Sequence, residues 1–333
     1  MKGFLHLADF APGEVRDLLD LATRLERHPE PEALKGKILA LLFFNPSLRT
    51  LASFQAGMAR LGGNSFVISP GQGTWILETR DGVVMDGAAA EHVREAIPVL
   101  ASYADALGIR SFAGGTDLAA DLADSTFHQM AEVCQRPVIN MESAVDHPCQ
   151  ALGDWKTMDD LGIPANGGKL VLSWAWHPKP LPLAVPAAAV HMAALRGMEV
   201  TVLRPEGFGL PEPVMEAARR AAALSGGSVR ETDDRAEGLQ GAHVIYAKSW
   251  TSPVHYGNPE AEAAFRAGLR DWCVDEDWFA GAAPDCRFMH CLPVRRNVVV
   301  KDAVLDGPRS VVVREAENRM WAQMAVLHRL LRG

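Results

Sequence analysis

The sequence has few cysteines and no long apolar run. Its five cysteines, among 333 residues, are odd in number and show no Cys-x-x-Cys spacing, which argues against a disulfide framework or a clustered zinc module. No segment approaches the roughly 18 uninterrupted apolar residues of a membrane-spanning helix, and the N-terminal apolar run is too short for a signal peptide. We therefore expect reduced thiols in a cytoplasmic protein without a membrane anchor.

An excess of positive charge is also absent. The net charge of -8 disfavours nucleic acid or an anionic membrane as the main partner. The chain contains neither a Gly-x-x-x-x-Gly-Lys phosphate loop nor a Gly-x-Gly-x-x-Gly dinucleotide turn. An anionic small substrate must then be bound by individual arginines and backbone N–H groups.

Strand-like and helix-like segments alternate along the whole chain. Short apolar runs followed by amphipathic stretches are typical of mostly parallel sheets covered by helices. With 333 residues, two doubly wound α/β domains are expected at 1–145 and 146–315, with a C-terminal helix, 316–333, returning to the first. Helices are predicted at 13–27, 91–104, 120–134, 186–196, 211–225 and 316–331, and strands at 38–44, 65–68, 105–109, 137–139, 169–174, 199–203, 242–247 and 286–289.

The segment Phe43–Phe54 has the features of an anion-binding turn. A buried-type strand leads through an Asn-Pro turn into a helix predicted to begin between Ser47 and Thr50. That placement brings two hydroxyls, the Arg49 guanidinium and unpaired N–H groups to the positive end of a helix, where phosphate is often bound. A capped helix with a surface arginine is the alternative interpretation.

Three further residues stand where parallel-sheet proteins bind ligands. Arg110 follows a predicted strand at its C-terminal end, where it either contacts a ligand or forms a surface ion pair. Trp75 lies in a glycine-rich loop and either folds back on its own domain or covers a bound ligand. His147 precedes a proline at a predicted helix start, so it either points into a cleft or caps that helix.

The second half carries cationic and histidine-containing segments. Four prolines stand between His177 and Pro186, so this stiff run is predicted to be neither helix nor central strand. Lys248 follows a predicted strand at the ligand edge. His290 and Cys291 end another, and because neighbouring residues of one strand point to opposite faces, no metal site is predicted there.

Four features stand in order over nearly the whole chain. They are Ser-x-Arg-Thr from Ser47, then Arg110, His-Pro-x-Gln from His147 and His-Cys-Leu-Pro from His290. Together they resemble the aspartate/ornithine carbamoyltransferase family. Ordinary ornithine enzymes of that family carry an aspartate and a following Ser-Met-Gly where this chain has Lys248. A lysine would repel a free α-ammonium group, so the chain is most similar to the N-acylornithine branch.

The resemblance implies a homotrimer that transfers the carbamoyl group of carbamoyl phosphate to an N-acylornithine in arginine biosynthesis, with no metal or organic cofactor. Catalysis would involve Arg110, His147, Gln150 and Cys291. Carbamoyl phosphate would contact Ser47, Leu48, Arg49, Thr50, Trp75, Arg110, His147, Pro148, Cys149, Gln150, Cys291, Leu292 and Arg319. The acylornithine would contact Glu142, His177, Lys248, Leu292, Arg295 and Arg296. Trp75 would come from a neighbouring subunit, and the proline-rich loop would belong to a knotted backbone.

The motifs leave the acyl group open. Acetyl-specific members carry a glutamate after Met-Asp-Gly and succinyl-specific members a proline, whereas this chain has Ala90. The absence of a glutamate removes repulsion of a succinyl carboxylate. Val299 stands where acetyl-specific members carry a lysine. These features favour a succinyl group, or tolerance of both.

Other functions are also considered. An ordinary ornithine carbamoyltransferase is disfavoured by Lys248. A relative that binds carbamoyl phosphate without transferring it would keep the same phosphate contacts. A covalent acyl-enzyme on Cys291 is disfavoured because no histidine–carboxylate relay accompanies that thiol.

Overall fold

The computed structural model describes residues 3–332, which form two compact units. The first contains the described residues up to Ala113, then Ala120–Cys149, and those from Arg319 onward. The second contains Gly114–Ala119 and Gln150–Asn318. Each unit has a five-stranded sheet, so the predicted class of two α/β parallel-sheet domains is confirmed. In this described part, no helix is long and apolar enough to cross a membrane.

The chain up to residue 147 alternates short strands with helices. The strands are β1 (Gly3–Phe4), β2 (Ile38–Phe43), β3 (Asn64–Ile68), β4 (Leu77–Glu78), β5 (Glu91–His92), β6 (Ala106–Arg110) and β7 (Val138–Glu142). The helices are α1 (Pro12–Arg27), α2 (Leu48–Arg60), α3 (Val93–Ser102), α4 (Leu118–Leu122) and α5 (Ser125–Val133).

The sheet of the first unit is parallel, with the strand order β1-β7-β6-β2-β3. The connection after β2 leads to β3 on one side of the sheet, whereas the connection after β6 leads to β7 on the other side. The two connections therefore leave in opposite directions. Phe43 and Arg110, the last residues of those strands, are paired in register. Ligands of open parallel sheets bind at such a switch point, at the carboxyl ends of the strands.

One face of this sheet packs against α3 and α5. The buried side chains there are Ala40, Leu42, Val93, Ile97, Leu107, Ile109, Phe127, Met130 and Val138. β2 reads Ile-Leu-Ala-Leu-Leu-Phe because a central parallel strand is covered on both faces. This packing fixes the strand ends from which the candidate residues project.

The rest of the chain builds a second parallel sheet, in the order β10-β9-β8-β11-β12. Its strands are β8 (Lys169–Trp174), β9 (Glu199–Leu203), β10 (Ser228–Thr232), β11 (Val244–Lys248) and β12 (Arg287–Met289). The helices are α6 (Pro148–Asp160), α7 (Ala184–Arg196), α8 (Glu212–Ser225), α9 (Arg235–Leu239), α10 (Pro259–Ala267), α11 (Asp302–Leu305) and α12 (Val312–Leu331). A second switch point lies between β8 and β11, where Trp174 pairs with Lys248.

Several boundaries differ from the sequence predictions. The two residues before α3 pair with β4, so that helix begins at Val93 instead of 91. The helix predicted over 120–134 is broken at Asp124, whose left-handed φ of 51° separates α4 from α5. The last helix begins one turn early, at Val312. β10 escapes prediction because its sequence, Ser-Val-Arg-Glu-Thr, is that of a polar edge strand.

The two proline-containing segments also differ in part. Residues 175–183 form neither helix nor strand, as predicted. Pro186, however, lies in the first turn of α7, where an N–H would have no helical partner. His290 and Cys291 lie beyond β12, so the prediction that they end a strand is wrong. The backbone knot stays a prediction.

Candidate active site

The turn after β2 presents the N-terminus of α2. Ser47 is the N-cap residue: its Oγ accepts a hydrogen bond from the Thr50 N–H at 3.3 Å and lies 3.0 Å from Thr50 Oγ1. Leu48, the first helical residue, is 78% exposed, and the first turn carries no acidic side chain. The predicted helix start is confirmed, and this positive helix end is accessible to an anion.

Arg110 is buried at the neighbouring strand end. Its Nε donates to the Asn45 carbonyl at 3.2 Å, and its Nη1 donates to the Met141 carbonyl at 3.4 Å and pairs with Glu142. The guanidinium carbon lies 4.6 Å from the centroid of the Phe112 ring. The ion pair is therefore a buried one and not a surface pair. Within the described structure these contacts use Nε and Nη1, which leaves the Nη2 donors for another acceptor.

Glu142 joins Arg110 to His147. Its Oε2 lies 3.5 Å from His147 Nε2 and also pairs with Arg110. The Glu142 backbone has a φ of 147°, which residues other than glycine rarely adopt, and its N–H donates to Asn140 Oδ1 at 2.9 Å. Strained backbone of this kind is concentrated at functional sites.

Asn45, which the sequence reasoning does not single out, cross-links the two strand-end turns. Its carbonyl accepts from Arg110, and its Oδ1 accepts from the Phe112 N–H at 2.8 Å. The Phe44 N–H in turn donates to the Arg110 carbonyl at 3.0 Å. Its position directly before a proline, in a strand-to-helix turn, was the available signal.

Cys149 and Arg319 lie in the same unit. Cys149 is fully buried at the start of α6, after Pro148, and burial raises the pKa of its thiol to about 12, against the opposing charge of Arg319. A thiol with so high a pKa is not nucleophilic at neutral pH. Cys149 is therefore not a candidate nucleophile.

Gln150 begins a buried network in the second unit. Its Nε2 donates to Asp154 Oδ1 at 2.7 Å and, more weakly, to Glu315 Oε1 at 3.4 Å. Glu315 Oε2 accepts from the His290 N–H at 2.9 Å. Burial, and then the nearby Asp154 carboxylate, raises the pKa of Glu315 well above its ordinary value. Glu315 thereby links α6, α12 and the segment after β12, and only the i,i+4 spacing of Gln150 and Asp154 signalled part of this network.

The segment after β12 has a tightly defined backbone. Leu292 adopts a left-handed φ of 56°, and its N–H donates to His290 Nδ1 at 2.8 Å. The Leu292–Pro293 peptide bond is cis, and Cys291 beside it is buried. The hydrogen bond to His290 thus orients the backbone of Leu292.

A cationic cluster lies at the second switch point. His177 Nε2 is 3.1 Å from Arg295 Nε. The pKa of His177 is lowered by burial, and further by the charges of Arg295, Lys248 and Arg266. The imidazole is then neutral and accepts from Arg295, while the positive charges of Arg295 and Lys248 both act on this ring. This setting suits a carboxylate.

Arg296 is engaged elsewhere. Its guanidinium pairs with Asp302 at 2.9 Å and with Asp306 at 2.6 Å, and hydrogen bonds to these carboxylates raise its pKa. Because that charge is already matched, Arg295 is the better candidate of the two for a substrate carboxylate.

A buried ion pair in α10 supports the cationic cluster. Glu262 and Arg266 are both almost fully buried and pair four residues apart. Arg266 also donates to the carbonyl of Trp250 at 2.6 Å and to that of His177 at 3.4 Å. The pair therefore connects the proline-rich loop to the chain after β11. An acid and an arginine at this spacing usually mark an exposed helix face, which is why sequence reasoning misses it.

Trp75 and Ala90 lie on adjacent segments of the β4–β5 region. Trp75 is 59% exposed, and its Nε1 donates to Glu91 Oε2 at 2.8 Å. The N–H of Ala90, itself exposed, donates to the Ile76 carbonyl at 3.3 Å. The indole is thus not packed into the core of its own unit, and a backbone hydrogen bond joins the segment of Ala90 to that of Trp75.

These features define a class: a two-unit α/β protein that binds small anionic molecules at the carboxyl ends of parallel strands. One unit offers a helix N-terminus beside a buried Arg–Glu–His cluster, and the other offers a cationic cluster. Residues 2–160 match the carbamoyl-P binding domain of aspartate/ornithine carbamoyltransferases, and residues 185–330 match their Asp/Orn binding domain. The chain belongs to the aspartate/ornithine carbamoyltransferase family, as its motifs predict.

Related proteins align with nearly the full length of this chain. The N-acetylornithine carbamoyltransferase of Xanthomonas campestris pv. campestris is 40% identical over 334 residues, covering 99% of this chain and 98% of the relative. The N-succinylornithine carbamoyltransferase of Bacteroides thetaiotaomicron is 36% identical over 337 residues, covering 100% and 99%. A solved structure with a TM-score of 0.95 and 40% identity covers 99% of this chain and 100% of its own. It is a glutamate-to-alanine variant of N-acetyl-L-ornithine transcarbamylase complexed with carbamyl phosphate and N-succinyl-L-norvaline.

Proposed function

We propose that this protein transfers the carbamoyl group of carbamoyl phosphate to the side-chain amine of an N-acyl-L-ornithine, giving N-acyl-L-citrulline and phosphate. The observation that carries the proposal is the cationic cluster of Lys248 and Arg295 around a neutral His177 at the end of β11. A free α-ammonium group would be repelled there, whereas an acylated nitrogen is neutral and leaves only the carboxylate to be recognised. Relatives named for N-acylornithines support the same substrate class.

Carbamoyl phosphate is proposed to bind with its phosphate at the N-terminus of α2. Ser47, Leu48, Arg49 and Thr50 supply backbone N–H groups, hydroxyls and a guanidinium there. Arg110 keeps donors beyond those held by Asn45, Met141 and Glu142, and they are proposed to reach the carbamoyl phosphate. Arg319, Pro148 and the backbone of Cys149 complete the phosphate side.

The chemistry is an attack by nitrogen on a carbonyl. The neutral amine forms a bond to the carbamoyl carbon, and the carbonyl π electrons move to oxygen. Arg110 and His147 are proposed to donate to that oxygen, an effect worth about 10²- to 10³-fold per donor. The carbonyl bond then re-forms as the C–O bond to phosphate breaks, the phosphate leaves with that electron pair, and it accepts the proton that the attacking nitrogen loses.

Gln150, Cys291 and Leu292 are proposed to orient the carbamoyl NH₂ group. Gln150 is held by Asp154 and Glu315, and the Leu292 backbone is fixed by His290. Glu142, Lys248, His177 and Arg295 are proposed to hold the acylornithine, with the charge-matched Arg296 in an outer position.

The acyl group is proposed to lie near Ala90, and a succinyl group is favoured. Ala90 has no charge to repel a second carboxylate. The relative in which one glutamate is replaced by alanine is complexed with N-succinyl-L-norvaline, which supports this assignment.

We further propose a cytoplasmic homotrimer in which Trp75 enters a neighbouring active site. The exposure of Trp75, together with the exposed apolar side chains of Ile76, Val84 and Met85 on the same segment, supports this arrangement.

The test is a comparison of initial carbamoylation rates with L-ornithine, N-acetyl-L-ornithine and N-succinyl-L-ornithine at fixed carbamoyl phosphate. We expect ornithine to be inert and N-succinyl-L-ornithine to be the best substrate. Turnover of ornithine alone would assign the chain to ordinary ornithine carbamoyltransferases. Tight binding of a bisubstrate phosphonate without turnover of any amine would mark a binding protein that has lost transfer.

A further inference from the structure

A group of metal-type donors lies in the first unit, apart from the motif residues. One ligand atom each from His6, Asp124 and His128 lies within 4.8 Å of the others. Two imidazoles and a carboxylate are a donor set that suits zinc and neighbouring transition metals. We propose that these three residues form a binding site for a divalent metal ion of the zinc class, which the sequence motifs do not predict.

The local fold brings the three residues together. His6 follows β1 at the carboxyl end of that strand, and Asp124 and His128 stand at the N-cap and in the first turn of α5. Their spacing of four residues places both on one side of the helix start. Asp124 adopts a left-handed φ of 51°, which aspartate tolerates better than most residues.

The carboxylate of Asp124 is buried and has an oxygen suited to binding a cation. The residue is 4% exposed, and its Oδ1 accepts from the Ala144 N–H at 3.2 Å. Its Oδ2 is buried and accepts no well-formed hydrogen bond within residues 3–332, and the Ser143 hydroxyl lies near the same carboxylate. A buried carboxylate oxygen left in this state costs free energy, which a bound cation would recover.

The histidines are accessible and oriented. Both are partly exposed, and their ring centroids lie 5.3 Å apart. His6 Nδ1 lies 3.4 Å from Asp146 Oδ2, and a carboxylate behind a ligating imidazole is a usual second contact of metal-bound histidine. Tetrahedral zinc separates its ligand atoms by about 3.3 Å, so small side-chain rotations would close the site and leave one position for water.

The test is metal binding by the full-length protein stripped with a chelator. Co²⁺ is titrated and followed by visible absorption, and Zn²⁺ binding is measured by calorimetry. We expect one ion per chain, with no thiolate charge-transfer band that would indicate cysteine ligands. H128Q changes a partly exposed residue and D124N keeps the size of its side chain, and each is expected to weaken binding at least about tenfold.

H28Q removes an exposed histidine outside the cluster and serves as the control, because it should bind as the unaltered protein does. The proposal is overturned if the unaltered protein binds no stoichiometric Co²⁺ or Zn²⁺ at micromolar concentrations. It is equally overturned if folded H128Q retains full affinity. Either result would mean that His6, Asp124 and His128 interact only with protein groups and do not form a metal site.

Discussion

One charge at the end of β11 is the proposed basis for separating two substrate classes. Lys248 is buried, and it lies near a His177 ring whose pKa is lowered by burial and by neighbouring cations. A positive charge in so little water acts strongly on whatever group approaches, since screening is weak. The proposed preference for an acylated amine would therefore be a property of a few side chains and not of the fold.

The first prediction concerns Lys248. K248M keeps the apolar stem and removes the charge, so kcat/KM for the N-acylornithine should fall about 10- to 150-fold, the value of a charge-assisted hydrogen bond. The KM for carbamoyl phosphate should change little. Steady-state kinetics with each substrate varied in turn measures both effects. K35M, at a well-exposed lysine, is the control, and an unchanged kcat/KM in K248M would remove Lys248 from the site.

Glu315 gives a prediction about pH. Its folded-state pKa is raised by burial and by Asp154, so its contribution to stability is complete below its ordinary pKa of 4.5 and is lost as pH rises through the folded value. E315Q removes this titration. The free energy of unfolding of the unaltered protein, relative to E315Q, should therefore decline with pH above 5, by at most about 1.4 kcal/mol per pH unit.

Urea unfolding at several pH values measures that difference. E317Q, two residues along α12, alters a half-exposed side chain and should follow the unaltered protein. Parallel stability curves for the unaltered protein and E315Q would show that Glu315 ionises normally.

At the scale of elements, the strand-to-helix turns were the easiest features to predict. β2 is continuously apolar and is followed by a serine cap, so both the strand and the start of α2 are encoded within a few residues. The break at Asp124 and the early start of α12 were not predicted, although aspartate tolerates the left-handed backbone that separates α4 from α5. The Glu262–Arg266 pair is similar: its spacing is visible in the sequence, but its burial is not.

The turn before β8 offers a prediction about packing. A Cβ at Gly168 would lie 1.8 Å from the Pro164 carbonyl oxygen, a backbone atom that has little freedom to move. G168A should therefore reduce the free energy of unfolding by about 2–3 kcal/mol. G13A, in the open first turn of α1, should be neutral or stabilise by up to about 1 kcal/mol. Chemical denaturation compares the two, and equal stabilities would show that the turn adapts.

At the scale of the whole molecule, the sequence predicts the two parallel-sheet units and the positions of the motifs. The motif positions can be predicted because the carboxyl ends of parallel strands lie at one edge of a sheet. This places Phe43 beside Arg110 and Trp174 beside Lys248. The contact of Gln150 with Glu315 could not be predicted, since it joins residues 165 positions apart.

The proposed trimer gives a prediction about mixed subunits. Trimers of W75A alone and trimers of K248M alone should both be impaired in carbamoyl transfer. Trimers that contain both variants should regain activity, because a W75A subunit supplies Lys248 to a site and its K248M neighbour supplies Trp75 to the same site. About a quarter of the sites in randomly mixed trimers would be intact. The assay is activity after dissociation and reassociation. K248M mixed with H147Q should regain nothing, and failure of the first mixture would place Trp75 in its own subunit's site.

The hydrogen bond between Ala90 and Ile76, next to Trp75, has a consequence for inheritance. In a trimer built as proposed, the residue that reads the acyl group travels with the indole into another chain's site. A cell carrying two alleles that differ at Ala90 would then make enzymes whose acyl preference is set by the adjoining copy. In a mixed trimer, each subunit with an altered residue 90 would change the acyl preference of the one site that it adjoins, and the other sites would keep theirs.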